Sequence, residues 1–252
     1  MSDYTVAEEF TLPSLGKVYS EKVNPVVKLK SMTTNQEMKR LAPGERAYKT
    51  LCEIIDECLV ENPGISSYDM CLADYQFLLH KLRVVTYGPE YKLEFTCPYC
   101  GNKEEATINL DELEVKTADA DDYSELQEFV LPKTKKKIRI KMQTPRMVDQ
   151  ITIQSKDLDK KSKGSQGDTA FLFTLQYIVD TIDGEELSAI QKEKLLRQLP
   201  MMDTNYIMKK AQKLLESFGI QTSIQRECPI CGLDYTGSFR FTQEFFRPSI
   251  DE

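Results

Sequence analysis

Cys97-Pro98-Tyr99-Cys100-Gly101 and Cys228-Pro229-Ile230-Cys231-Gly232 are two near-identical knuckles half the chain apart. Two thiolates separated by two residues can both reach one tetrahedral ion, and the turn between them aims backbone N–H groups at the sulfurs. The glycine after each second cysteine supplies the positive φ that such a turn requires. Strand-like segments flank both knuckles. Residues 91–95 (YKLEF) enter the first and 106–110 (ATINL) leave it, while 222–225 (TSIQ) enter the second and 235–241 leave it. Strand, knuckle, strand is half of a zinc ribbon. A redox dithiol is the competing reading, but it calls for a thiol at a helix N-terminus in a βαβ setting, and neither knuckle leads into a helix pattern. Each knuckle alone offers two ligands, and a closed structural site takes four. The expectation is one structural Zn2+ bound by Cys97, Cys100, Cys228 and Cys231.

Working outward, the segments upstream of the knuckles also match. Glu9-Phe10-Thr11-Leu12-Pro13 parallels Glu128-Phe129-Val130-Leu131-Pro132, and residues 27–33 (VKLKSMT) parallel 138–144 (IRIKMQT). Each is a short alternating strand running into a helix-capping Thr. Thr34 with Glu37 reads as a capping box, and Pro145 as a first helical residue. Apolar faces follow: Ala47, Leu51, Ile54, Ile55, Cys58 and Leu59 in one half, and Phe171, Leu175, Ile178, Val179 and Ile182 in the other. Asp74 and Asp203 fall at equivalent positions near a helix start. The helix from Asp203 ends at Gly219, a good αL cap.

The predicted fold is therefore α+β, made of two divergent tandem copies of a strand–helices–knuckle unit joined through a shared four-cysteine zinc ribbon. The first copy is 1–110, an acidic exposed connector is 111–127, and the second copy is 128–252, the whole forming one compact unit. Chance similarity between two α+β segments is the alternative. Residues 155–168 (SKDLDKKSKGSQGD) read as a polar loop that orders on a partner. The tail Gln243-Glu244-Phe245-Phe246-Arg247-Pro248 either packs back onto the fold or serves as a docking peptide.

Composition narrows the function. The chain has 252 residues, 40% of them hydrophobic and 9% aromatic, which is globular rather than disordered. A net charge of −7 opposes general nucleic-acid binding. The basic run from Lys133 to Lys141 reads as a solvated strand edge. There is no apolar leader in MSDYTVAEEF and no run long enough to span a bilayer, so the chain is expected in a reducing compartment. Cys52, Cys58 and Cys71 lie among apolar residues and read as buried side chains. His80, the single histidine, reads as an ordinary helix residue. No catalytic constellation is found. Gly164-Ser165-Gln166-Gly167 lacks the strand, Lys and helix of a phosphate loop, and one histidine cannot support most triads.

Leu12-Pro13-Ser14-Leu15-Gly16-Lys17-Val18-Tyr19, followed by residues 26–34 with Lys30, Met32, Thr33 and Thr34, resembles the opening of the T-even-type phage baseplate family. Asp74-Tyr75-Gln76-Phe77, the Tyr87-Gly88 turn and the first knuckle extend the resemblance, which covers mainly residues 9–101. It implies a non-enzymatic hub component or hub-assembly chaperone of a contractile tail. Other baseplate or tail proteins would be its partners, in the host cytoplasm during assembly and in the virion baseplate if it stays there. The alternative is a zinc-ribbon nucleic-acid-binding module in phage transcription or replication, for which Arg226 and Arg240 near the second knuckle are the hint.

Overall fold

A computed structural model describes residues 6–42, 44–162, 168–239 and 243–246. The chain opens with an antiparallel pair, β1 (Ala7–Thr11) and β2 (Val26–Lys30), in which Phe10 faces Val27 across the ladder. Alternation places Val27 and Leu29 in the core and Lys28 between them outside. Three helices follow: α1 (Thr34–Leu41), α2 (Ala47–Cys58) and α3 (Leu72–Tyr87). A hairpin of β3 (Glu90–Thr96) and β4 (Lys103–Asn109) then carries the first knuckle.

The next stretch holds β5 (Val115–Lys116) and α4 (Ala120–Gln127). Beyond it come β6 (Glu128–Val130), β7 (Lys137–Ile140), α5 (Pro145–Ser162) and α6 (Thr169–Ile178). They lead to β8 (Val179–Ile182), α7 (Ala189–Leu196), α8 (Met201–Glu216) and β9 (Gly219–Ile220). The hairpin of β10 (Ser223–Glu227) and β11 (Asp234–Ser238) carries the second knuckle.

The result is a mixed α+β protein with small sheets, as expected, but several details differ from the sequence reading. α8 ends at Glu216 with Ser217 as its cap, and Gly219, expected as an αL cap, opens β9 instead. The capping box of α1 is Thr33 with Gln36, one residue earlier than Thr34 and Glu37; the Gln36 side chain accepts from the Thr33 N–H at 3.0 Å. Val179 and Ile182 are not on a helix but on β8, because the run Ile-Val-Asp-Thr-Ile is β-branched and fits a pleated surface better. Since β8 adds to β7, the lysine-rich strand is central rather than an edge, and its exposed face is neutralised by carboxylates. Lys137 pairs with Glu128 at 2.7 Å and Lys141 with Asp180 at 3.3 Å. Finally, 111–127 is not a bare connector. Exposed as it is, β5 pairs with β9, and the Asp119 side chain caps α4 by accepting from the N–H groups of Asp121 and Asp122.

One core gathers Leu12, Leu29, Ile55, Leu78 and Leu82 with Phe245 and Phe246; a second gathers Leu131, Ile138, Ile140, Val179, Ile207 and Phe218. The tail therefore packs back: Phe245 and Phe246 are fully buried, and the Arg83 Nε donates to the Phe245 carbonyl at 3.0 Å. Phe245 and Phe246 thus complete the core built by the first half. Residues 155–162 of the expected loop are instead the last turns of α5, while 163–167 of that loop and 247–248 of the tail lie outside the described residues.

Two buried carboxylates hold the Leu-Pro turns. Asp74, in the first turn of α3, accepts from the Ser14 N–H at 2.9 Å, the Ser14 hydroxyl at 2.5 Å and the Tyr19 hydroxyl at 2.7 Å. Asp203, in the first turn of α8, accepts from the Lys133 N–H at 2.8 Å, the Thr134 N–H at 2.9 Å and the Thr134 hydroxyl at 2.7 Å. Both residues are fully buried. Their titration differs. Desolvation opposes ionisation at both; at Asp74 it wins and raises the carboxyl, whereas at Asp203 the Lys133 and Thr134 donors win and lower it.

The unfolded chain takes up a proton at an ordinary carboxylate, about 3.9, before folded Asp203 does. The stability from Asp203 is therefore complete above that value and is lost as pH falls through the lower folded value. Asp203→Asn should cost ~2 kcal/mol at pH 7, since an amide keeps only one acceptor oxygen. It should also make the acid limb of the stability–pH profile shallower, while Asp74→Asn should not. Urea unfolding at a series of pH values measures this, and identical acid limbs for wild type and Asp203→Asn would refute it.

Candidate metal centre

Each knuckle is a tight turn closing a two-stranded hairpin. Thr96 faces Lys103 across the first hairpin, and Glu227 faces Asp234 across the second. The Cys97 N–H donates to the Asn102 carbonyl at 2.8 Å and the Gly101 N–H to the Cys97 carbonyl at 3.0 Å. In the second knuckle the Cys228 N–H donates to the Leu233 carbonyl at 3.1 Å, and the Gly232 N–H to the Cys228 carbonyl at 2.8 Å. The bond pattern is the same. Gly101 and Gly232 sit at φ 72° and 67°, the left-handed region that only glycine enters freely.

The two hairpins come from opposite halves of the chain and pack face to face. Phe95, Cys97, Cys228 and Tyr235 form a small buried core of their own. Gly237 lets β11 approach: a Cβ there would lie 2.5 Å from the Phe95 ring. The Arg226 guanidinium lies 4.7 Å above the Phe95 ring and donates to the Glu104 carboxylate at 2.7 Å. It is thus committed to holding hairpin against hairpin rather than free for a phosphate. Arg240 lies outside the described residues.

All four knuckle sulfurs lie within 4.8 Å of one another. Cys97 Sγ is 3.8 Å from Cys231 Sγ, and Cys100 Sγ is 3.6 Å from Cys228 Sγ. Ligands about 2.3 Å from a tetrahedral zinc are separated by about 3.8 Å, so the cluster has the dimensions of a four-thiolate site. A disulfide requires about 2.05 Å, and all four cysteines are free thiols. Cys97 and Cys228 are buried, whereas Cys100 and Cys231 lie toward the surface.

The electrostatics show what ionising the cluster would require. Backbone N–H groups of Cys231 and Ile230 hold the Cys228 thiol down to about 7. At Cys100 the Asn102 N–H favours the thiolate, but desolvation and the sulfurs of Cys228, Cys97 and Cys231 push it up to about 12. Four sulfurs at this spacing cannot ionise together unless a positive charge sits among them. The residues present therefore fit a divalent ion with thiolate preference.

The remaining cysteines stand apart. Cys52, Cys58 and Cys71 are buried, and burial raises all three thiols, Cys58 to about 11. That makes them inert packing groups. His80 is also buried, with Nε2 3.0 Å from the Leu110 carbonyl, and desolvation lowers it to about 4.

Sequence reasoning found the cysteines but missed the supporting residues. Nothing in the local pattern marks Gly237, Arg226 or Glu104 as the contact between hairpins, since each acts on a residue far away in the chain. Asp74 and Asp203 stood out by position, yet their role as acceptors for the Leu-Pro turns could be read only in three dimensions. The same holds for Asp149. Its buried carboxylate accepts from the Tyr48 and Lys49 N–H groups at 3.3 and 2.9 Å, capping α2 from α5.

No curated protein and no solved structure matches this chain. A family model described as T4 bacteriophage base plate protein matches residues 4–247, nearly the whole sequence, and the chain belongs to that family.

Proposed function

We propose that the chain is a non-enzymatic component of a contractile phage tail baseplate, a hub subunit or hub-assembly chaperone, that works by binding other baseplate or tail proteins. One structural Zn2+ on Cys97, Cys100, Cys228 and Cys231 fastens its two halves. The observation that carries this reading is the convergence of four thiols, two from each half, within 4.8 Å in a family of baseplate proteins. Four thiolates would close the coordination shell and leave no position for substrate, which suits a fastener and not a catalyst. It would assemble in the host cytoplasm and act at the tail baseplate.

The two halves are read as copies of one ancestral unit, residues 1–110 and 128–252. Correspondences beyond the knuckles support this. Phe10 faces Val27 as Phe129 faces Ile138. The Leu12 N–H donates to the Pro25 carbonyl as the Leu131 N–H does to Lys136. Asp74 and Asp203 are each the third residue of their helix and hold the same turn. Even β8 has a remnant in the first half, where Leu59 bridges to Leu29 as Val179 pairs with Ile140.

A nucleic-acid role has less support, because the net charge is −7 and Arg226 is committed to Glu104.

Two measurements test the proposal. Elemental analysis of the purified chain should give one zinc per molecule; two, or none, would refute the shared site. Cys97→Ser and Cys228→Ser should each abolish zinc retention and cooperative unfolding, since structural zinc supplies on the order of 10 kcal/mol of apparent binding free energy. Separately, co-expression of the tagged chain with the phage's baseplate proteins should retain at least one of them through purification. Recovery of none would sink the assembly role.

A further inference from the structure

The rim of the cysteine cluster presents apolar side chains that neither the metal site nor the core uses. Tyr99 in the first knuckle and Ile230 in the second occupy the same position of the motif, and they are 63% and 72% exposed. Leu233, just beyond the second knuckle, is 49% exposed. A zinc knuckle needs its cysteines and glycine, but nothing in the turn calls for a large apolar residue there. Single exposed apolar residues are ordinary; three gathered around one cluster are not. They are gathered because each is one or two residues from a cysteine whose sulfur lies within 4.8 Å of the others. The turns that carry them are stiffened by Pro98 and Pro229 and by the hairpin bonds, so little freedom would be lost on docking.

The charge around this knob identifies its partner. Glu227 stands directly opposite Asp234, and Glu94 directly opposite Glu105, all four exposed. Lys103 neutralises Glu94 at 2.8 Å. Among the described residues, no cation pairs with Glu105, Glu227 or Asp234. Like charges directly opposite across a ladder destabilise it. A second copy of this chain would bring the acidic rim against itself about a twofold axis. A nucleic acid or an anionic membrane would be repelled in the same way. The complementary surface is an apolar socket bordered by Lys and Arg.

We infer that the knuckle tip, with Tyr99, Ile230 and Leu233 at its centre and Glu105, Glu227 and Asp234 at its rim, docks into a basic-rimmed apolar socket on another baseplate protein. This rests on the baseplate reading above. The metal then has a second consequence: it holds the two halves of the knob in one rigid surface.

The test uses the full chain, tagged and co-expressed with the baseplate proteins of its phage. The retained protein is identified by mass, purified and titrated. Tyr99→Ser/Ile230→Ser/Leu233→Ser should weaken binding at least tenfold with zinc content and thermal transition unchanged. Glu227→Lys/Asp234→Lys, which leaves the apolar centre intact, should also weaken it and reduce its sensitivity to salt. If wild type retains a baseplate protein and both variants bind it as well as wild type does, the docking site is refuted while the baseplate reading stands. If wild type retains none, both fall. If light scattering instead shows a dimer of this chain that the triple substitution dissociates, the partner is a second copy and the inference is overturned.

Discussion

Neither cysteine hairpin can stand by itself. Each is a pair of short strands with one half-buried face, and a lone two-stranded hairpin in water is marginal at best. Their stability depends on the contact between them: Phe95 against Gly237, Arg226 against Glu104, and two pairs of sulfurs drawn into one cluster. That contact joins segments half a chain apart, so it can form only when both halves have folded and met. The rest of the architecture delivers the hairpins to that meeting.

The halves are stitched along their length as well as at the cluster. β5, which follows the first hairpin, pairs with β9, which precedes the second. The Leu72 N–H donates to the Gln143 carbonyl at 2.9 Å, and Asp149 of α5 caps α2. Gly219 lies against Ala73, where a Cβ would come within 3.1 Å of the alanine methyl. Phe245 and Phe246 fill the core of the opposite half. Contacts of this kind let segments with limited apolar surface of their own bury it jointly.

The buried carboxylates explain why the opening segment has the residues it has. In Leu12-Pro13-Ser14-Leu15-Gly16-Lys17-Val18-Tyr19, Ser14 and Tyr19 both donate to Asp74, which lies sixty and fifty-five positions further on. Gly16 has φ 71°, and a Cβ there would lie 2.6 Å from the Val23 carbonyl oxygen. Ser14 and Tyr19 thus join Asp74 in a polar network at the edge of the core, in which every donor to the carboxylate offsets the cost of burying it. In the second half another buried carboxylate, Asp203, holds a turn through donors of Lys133 and Thr134. Desolvation wins at one site and the donors win at the other.

What the sequence determined by itself was local or repetitive. The spacing and glycines of the knuckles, the alternation of β2 and β7, the Pro145 helix start and the recurrence of Glu-Phe-x-Leu-Pro are all short-range patterns. They specify turns, strands and helix ends because backbone sterics and burial periodicity act over a few residues. The placement of Thr33 rather than Thr34 as the cap, and of Val179 on a strand, lay within a residue or two of what such patterns resolve. The tertiary structure alone decided which distant groups meet. Asp74 on Ser14, Asp149 on α2, Arg226 on Glu104, and the tail phenylalanines in the first core are long-range pairings. Each is set by how the halves dock, and docking minimises exposed apolar area and unsatisfied polar groups over the whole chain at once.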